Sequence, residues 1–305
     1  MNEHPLMLDG WLEFNKYKWG LKPKRLKLKI SDNGPTLETV IYLDNKGRIA
    51  MPRLNPYLPI VFHPTSTKLP YKLRYQWLSI SELLAEKFKK RGLRSSVSFS
   101  PNVEDIRSFQ WEGFLSEPRY TFFLNFPIDF NEIDHSVRKN INKAKTNGFY
   151  VQPTFDFQKV IECLSDTEER QGFSYGLTPS DLEMADKLMG EEHFRCYTVF
   201  APDGEPASSR IVLKGNSIAL DWVAGTKRKF LKYGVSDHIV YSVLNDLADS
   251  NVRIFDYCGA NLPTVQNMKS RWGGELKVLY NIRPLNIRTF LSMGLRWFRN
   301  YRRKK

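Results

Sequence analysis

The residues best suited to chemistry gather between Trp222 and Gly274. An apolar strand end, Trp222-Val223-Ala224-Gly225, runs into the cationic loop Thr226-Lys227-Arg228-Lys229-Phe230-Leu231-Lys232-Tyr233-Gly234. Behind the loop, Ile239, Val240, Val243, Leu244 and Leu247 recur at helical spacing. A cationic loop feeding a helix N-terminus suits an anion, because open backbone N–H groups and the helix dipole both favour negative charge. Next come Arg253-Ile254-Phe255-Asp256-Tyr257-Cys258-Gly259, a strand and small-residue turn with one carboxylate, and the basic–aromatic cluster Lys269-Ser270-Arg271-Trp272-Gly273-Gly274.

Three segments must position these residues. The first, 1–118, begins with the alternating strand Leu26–Ile30 and the apolar run Val40–Leu43. It continues through five prolines between Met51 and Pro70, expected as an ordered irregular loop that either borders a site or simply connects. A helix over Ser79–Arg91 follows, with Ser81 as its cap and Gly92 as its stop. The second segment, 119–285, opens on the aromatic strand Tyr120–Phe126 and a helix over Ile133–Asn147. Strands and helices then alternate up to a hairpin across Lys214-Gly215-Asn216. That order implies an α/β (α+β) fold, a mixed sheet covered by helices, and the antiparallel meander excludes a doubly wound nucleotide-binding sheet. The third segment, 286–305, carries Arg288, Arg296, Arg299, Arg302, Arg303, Lys304 and Lys305 without an acid, and reads as a basic amphipathic helix. Three readings of it stand: docked on the domain, lying on an anionic membrane, or gripping RNA.

Composition bounds the partners. Lys and Arg total 46 against 33 Asp and Glu, a net charge of +13. Nucleic acid, a phosphorylated cofactor or a membrane surface would match it, as would a basic surface with no specific partner. The three cysteines, Cys163, Cys196 and Cys258, are far apart and odd in number, which fits a reducing cytoplasm rather than a disulfide framework. The five histidines are scattered, so no metal site is expected. No window reads as a signal peptide or membrane span, and the expected location is cytoplasmic, with membrane association at the inner face through 286–305.

Within 119–285 four pieces resemble the FemAB-like branch of the GNAT acyltransferase superfamily. They are Arg119–Leu124 with Val137–Ala144, the turn Glu169-Arg170-Gln171-Gly172, the strand Trp222–Gly225, and Phe255–Gly259 with Met268–Gly274. The resemblance implies a GNAT-like domain there and a degenerate GNAT-like copy in 1–118. It implies transfer of an acyl or aminoacyl group from acyl-CoA or aminoacyl-tRNA to an amine of a cell-envelope or sugar metabolite. Both donors are polyanionic, in keeping with the charge balance. The alternative is a non-catalytic RNA- or membrane-surface-binding protein on the same fold.

The implied chemistry assigns roles. Lys229 and Lys232, with the backbone N–H groups of Tyr233, Gly234, Val235 and Ser236, would cradle donor phosphates, or the segment is a solvated turn with Ser236 as cap. This loop lacks the glycine-rich spacing of typical acetyl-CoA binders. A backbone N–H near Val223 would polarise the reacting carbonyl. Asp256, then Asp221, Glu169 and His238, are the candidate bases unless the amine arrives already neutral, Asp256 being equally readable as a structural carboxylate that caps the next helix or pairs Arg170 or Lys269. Arg170, Lys269 and Arg271 are candidate substrate ligands, or partners in salt bridges.

Overall fold

A first helix, α1 (Asp9–Trp19), stands where no apolar periodicity announces one. Its packing explains it. Trp11 and Phe14 place their rings 5.2 and 5.9 Å from Trp222. Tertiary burial of such rings outweighs weak local propensity. The computed structural model describes residues 4–285. The chain continues through β1 (Lys22–Lys29), β2 (Thr36–Leu43), β3 (Ile60–His63), α2 (Pro70–Arg91), β4 (Val97–Ser98), α3 (Arg107–Trp111) and β5 (Phe114–Asn125). It then forms α4 (His135–Thr146), β6 (Tyr150–Pro153), α5 (Phe157–Gln171), α6 (Pro179–Met189), β7 (Phe194–Phe200), β8 (Pro206–Lys214) and β9 (Ile218–Thr226). Last come α7 (Val235–Ala248), β10 (Ile254–Asp256), α8 (Pro263–Ser270) and β11 (Glu275–Pro284).

The chain divides into two compact units, one built from residues up to Lys18 with Tyr120–Lys277, the other from Trp19–Arg119 with the segment after Val278. The expected segment 1–118 therefore gives up its first 18 residues to the larger unit. Besides the ring contacts, Lys18 Nζ reaches Asp181 at 2.6 Å. The backbone of Gly10 lies so close to α6 that a Cβ there would sit 2.2 Å from the Leu188 carbonyl oxygen. The basic segment 286–305 lies outside the described residues.

In the smaller unit β1, β2 and β3 form an antiparallel sheet, and β4 pairs with β11 through Asn281 and Ile282. The expected proline-rich loop contains β3, and α2 begins at Pro70 rather than Ser79. Proline suits a helix's first turn, where its missing N–H costs nothing. Ser81 is not a cap: it lies inside α2 and donates to the Leu78 carbonyl.

The larger unit is a mixed sheet in the order β5-β10-β9-β8-β7-β6. Every neighbouring pair is antiparallel except β9 and β10, which run parallel. Val137 and Ile141 of α4 and Ile239, Val243 and Leu244 of α7 pack into one core with Val199 and Phe255 of the sheet. Each such side chain, fully buried, contributes roughly 1.5–3 kcal/mol. Helix α5 packs on β8 and β9. It comes very close, since a Cβ on Gly225 would lie 2.3 Å from the Cys163 carbonyl oxygen. The fold is the expected α+β class.

Candidate active site

Strands β9 and β10 pair only through Ile218–Leu220 and Ile254–Asp256. Beyond that point they part, and two local features cause it. On β9, Val223 pairs with Ile211 while Asp221 pairs with Val212, so Trp222 is the extra residue of a β-bulge. On the other side the chain stays with β5: Tyr257 N–H donates to the Phe122 carbonyl and Ala260 N–H to that of Tyr120. Asp256 makes the turn. Its carboxylate, fully buried, accepts the Thr121 hydroxyl at 2.6 Å and the Cys258 N–H at 2.7 Å. Cys258 is thereby held at φ 54°, a left-handed conformation that non-glycine residues seldom adopt.

A cavity of about 690 Å³ opens in this gap, between the last half of β9, the Tyr257–Gly259 turn, the end of α5 and α8. An unpaired strand edge leaves backbone carbonyls that need donors. Tyr175 Oη donates to the Ala224 carbonyl at 3.0 Å, and Arg170 Nη1 to that of Thr226 at 2.9 Å. Arg170 also holds Asp166, so it ties the start of the cationic loop to α5. The outer wall is apolar, with Phe173, Leu231, Leu262, Val265 and Met268.

The base of the cavity is polar. Arg210 of β8 and Asp221 of β9 form a buried ion pair through Nη1 and Oδ2. Among the described residues lining the cavity, Asp221 is the only carboxylate. Its second oxygen, Oδ1, has no partner, nor do Arg210 Nε and the Tyr257 hydroxyl, all three atoms buried. A buried polar atom left unpaired costs roughly 1–3 kcal/mol, so three beside one cavity mark a place prepared for a polar ligand. Burial pushes the Tyr257 phenol well above its ordinary range, which keeps it a donor. The Cys258 thiol is pushed up by burial as well, and Cys163 to about 11, so neither supplies the thiolate that a cysteine nucleophile needs. Lys269 donates to the carbonyls of Tyr257 at 2.6 Å and Gly259 at 2.8 Å, clamping the turn. Burial lowers its ammonium pKa.

The residues singled out from sequence fall into three places. Asp221, Val223, Ser236, Arg170 and Lys269 line the cavity. Asp256 lies behind the turn it closes. The remaining cradle residues sit outside the cavity lining. Lys229 pairs with Glu205, Lys232 lies over the Tyr233 ring at 5.0 Å, Tyr233 packs on Phe149, and Val235 is buried. Gly234 is required by a neighbour: a Cβ there would lie 2.4 Å from the Asn140 carbonyl oxygen of α4. The loop itself winds into a 3₁₀-helix over Arg228–Tyr233. No side chain caps the N-terminus of α7, whose N-cap is Gly234 and not Ser236, and Ser236 Oγ lies 3.0 Å from Thr226 Oγ1. Arg271 donates to Ser136 Oγ at the start of α4. Arg210 and Tyr257 were not among the sequence candidates, although Tyr257 stands next to Asp256 in the same turn. Alternation along β8 gives no sign that Arg210 points inward to a carboxylate on the next strand.

A strand pair parting at a bulge over a cavity, with an uncapped helix N-terminus beside it, is a distinctive arrangement, and comparison with known proteins agrees with it. Residues 134–264 match the family model described as an acetyltransferase (GNAT) domain. Those residues form a GNAT domain. The fold of the chain is similar to the crystal structure of FemX, with a TM-score of 0.66 at 13% identity over 95% of this chain and 94% of that one. It is also similar to the C-terminal domain of a putative lysylphosphatidylglycerol synthetase from Agrobacterium fabrum, with a TM-score of 0.54 at 9% identity over 88% and 86% of the two chains. L-PGS from Bacillus licheniformis gives 0.53 at 12% identity over 93% and 89%. No curated protein matches the chain by sequence. The GNAT resemblance read from the motifs thus agrees with the family model, the fold is similar to that of FemX, and the protein is an acyltransferase.

Proposed function

We propose that the protein transfers an acyl or aminoacyl group from a polyanionic donor, aminoacyl-tRNA or acyl-CoA, to an amine of a cell-envelope or sugar metabolite. One observation carries the reading: the β9–β10 gap ends on an unpaired carboxylate oxygen and an unpaired phenol hydroxyl, both buried. In acyl transfer the amine nitrogen attacks the donor carbonyl carbon. An N–C bond forms, the ester or thioester bond breaks, and the amine loses a proton. In this reading Asp221 Oδ1 accepts the amine's N–H, and the Tyr257 hydroxyl donates to the oxygen on which charge develops. Val223, on the strand edge beside them, offers the backbone route to the same oxygen. Lys269, Arg170 and Asp256 act as positioning residues, holding the turn and the loop that frame the cavity. In this reading the α7 N-terminus at Ser236 faces the donor's phosphates with Lys232 of the preceding 3₁₀-helix, and Lys229 exchanges Glu205 for a phosphate. Arg271, bonded to Ser136 at the start of α4, is a further candidate ligand outside the cavity lining.

The net charge of +13 favours a nucleic-acid-borne donor. In this reading the protein works in the cytoplasm, and 286–305 draws it to the inner face of an anionic membrane. The donor assignment is tested by incubating the protein with labelled aminoacyl-tRNA or labelled acetyl-CoA and a mixture of amine acceptors, then measuring alkali-stable amide. Label transferred from tRNA, with donor affinity falling steeply between low and moderate salt, supports the aminoacyl reading. Transfer from the thioester alone would assign acyl-CoA, and no transfer from either would overturn the reading.

A further inference from the structure

Two of the most exposed apolar residues of the smaller unit, Tyr71 and Tyr75, lie in the first turns of α2, and Leu69 stands exposed in the residues leading into it. Leu69, Tyr71 and Tyr75 are 46%, 63% and 72% exposed, and Tyr71 and Tyr75 stand four apart, on one helix face. Lys68 and Lys72 are interleaved with them and exposed, and neither forms an ion pair among the described residues. From Asn45 to Ser81 the sequence has no Asp or Glu. Asp105, whose backbone carbonyl Trp77 of α2 reaches, is bound to Arg107 and lies in the field of Arg74. The projection is rigidly held. Thr65 N–H donates to Gln76 Oε1 at 2.8 Å, and Gln76 Nε2 to Thr65 Oγ1 at 2.6 Å, fastening the loop before α2 to its second turn. Leu69 N–H is held by Thr67 Oγ1. Trp77 Nε1 donates to the Asp105 carbonyl, anchoring the opposite face of the helix.

We propose that the start of α2 is a membrane-docking surface for anionic phospholipid, seating Leu69, Tyr71 and Tyr75 at headgroup depth with Lys68 and Lys72 on the lipid phosphates. Tyrosine is at home in that layer, its ring apolar and its hydroxyl wet. Lysines beside an anionic leaflet add attraction that decays within a Debye length. Nucleic acid would satisfy the lysines and stack the tyrosines, but it provides no apolar phase for Leu69 and Pro70, which stand exposed among them. The surface is independent of the acyl-transfer reading.

The test is co-sedimentation of the full chain with vesicles of phosphatidylcholine alone or with about a third phosphatidylglycerol. Binding to the anionic vesicles alone is expected. K68E/K72E should weaken it about tenfold or more, given roughly 1 kcal/mol for each lysine near such a surface. L69S/Y71S/Y75S, which removes no charge, should weaken it at least fivefold. All five positions are exposed, so unchanged thermal melting is the control for folding. Equal binding by the L69S/Y71S/Y75S variant overturns the proposal, as does loss of binding only when 286–305 is removed. Absence of vesicle binding together with tyrosine-dependent binding of single-stranded RNA would assign the surface to nucleic acid instead.

Discussion

Tyr257 separates stability from function more cleanly than any other residue of the site. Its hydroxyl is buried without a partner and has neither a protein acceptor nor a donor to lose. Tyr257→Phe should therefore leave the melting temperature unchanged or raise it, removing an unpaired buried hydroxyl worth roughly 1–3 kcal/mol. In the same protein, turnover should fall by roughly 100-fold if the hydroxyl stabilises developing charge. A variant equally active in steady-state assays would remove Tyr257 from the chemistry. Asp221 makes a poorer probe, because its loss leaves Arg210 buried and uncompensated, at about 3–5 kcal/mol. Asp256 shows how a residue can be picked out from sequence while two roles for it stay open. The sequence shows a carboxylate between a strand and a small-residue turn, and both a base and a turn-closing group look like that. Only the 2.6 Å bond from Thr121, a residue 135 positions away, shows what the carboxylate holds.

At the scale of elements, the cavity exists because β9 leaves β10 while α5 stays pressed against β9. The spacing depends on Gly225, which admits the α5 backbone where any side chain would collide. Gly225→Ala should cost about 1–3 kcal/mol, the range for overpacking a tight contact, read as a lowered midpoint in urea. It should also raise KM more than it lowers kcat, since it moves the wall and not the reacting groups; an unchanged midpoint would show that the helix shifts freely. The β9 and β10 strands, the hairpin before them and the α7 helix were legible in the sequence, because alternation and helical spacing are local signals. The bulge at Trp222 was not. A bulge is a mismatch in register between two strands, and register belongs to the pair. The cationic loop was equally legible as a feature, yet most of its lysines meet Glu162 and Glu205, acids distant in sequence.

For the whole molecule, the packing of α7 sets a dependence on pH. His238 is buried in α7 with Nδ1 unpaired. Burial, and then the charge of Lys145, hold its pKa below the ordinary 6.5. The unfolded chain therefore takes up a proton first as pH falls through about 6.5, and the native state follows only at lower pH. Stability is full above that pH and declines between it and the lowered native pKa. Thermal melts from pH 7.5 to 5.5 should show this fall, and His238→Gln should flatten it; parallel curves for the two proteins would place the dependence elsewhere.

Taken alone, the sequence determined the class of fold, the order of most elements, the basic balance that calls for an anionic partner, and the GNAT resemblance. These are properties of composition, of short-range periodicity and of motifs a few residues long. The tertiary structure decided that α1 belongs with the larger unit, because two aromatic rings find their burial on Trp222. It decided that Arg210, Asp221 and Tyr257 stand together, because each comes from a different strand or turn and meets the others only when the sheet is assembled. It also decided which cations are neutralised and which remain open, since an ion pair is settled by distance in space and leaves no mark on spacing along the chain.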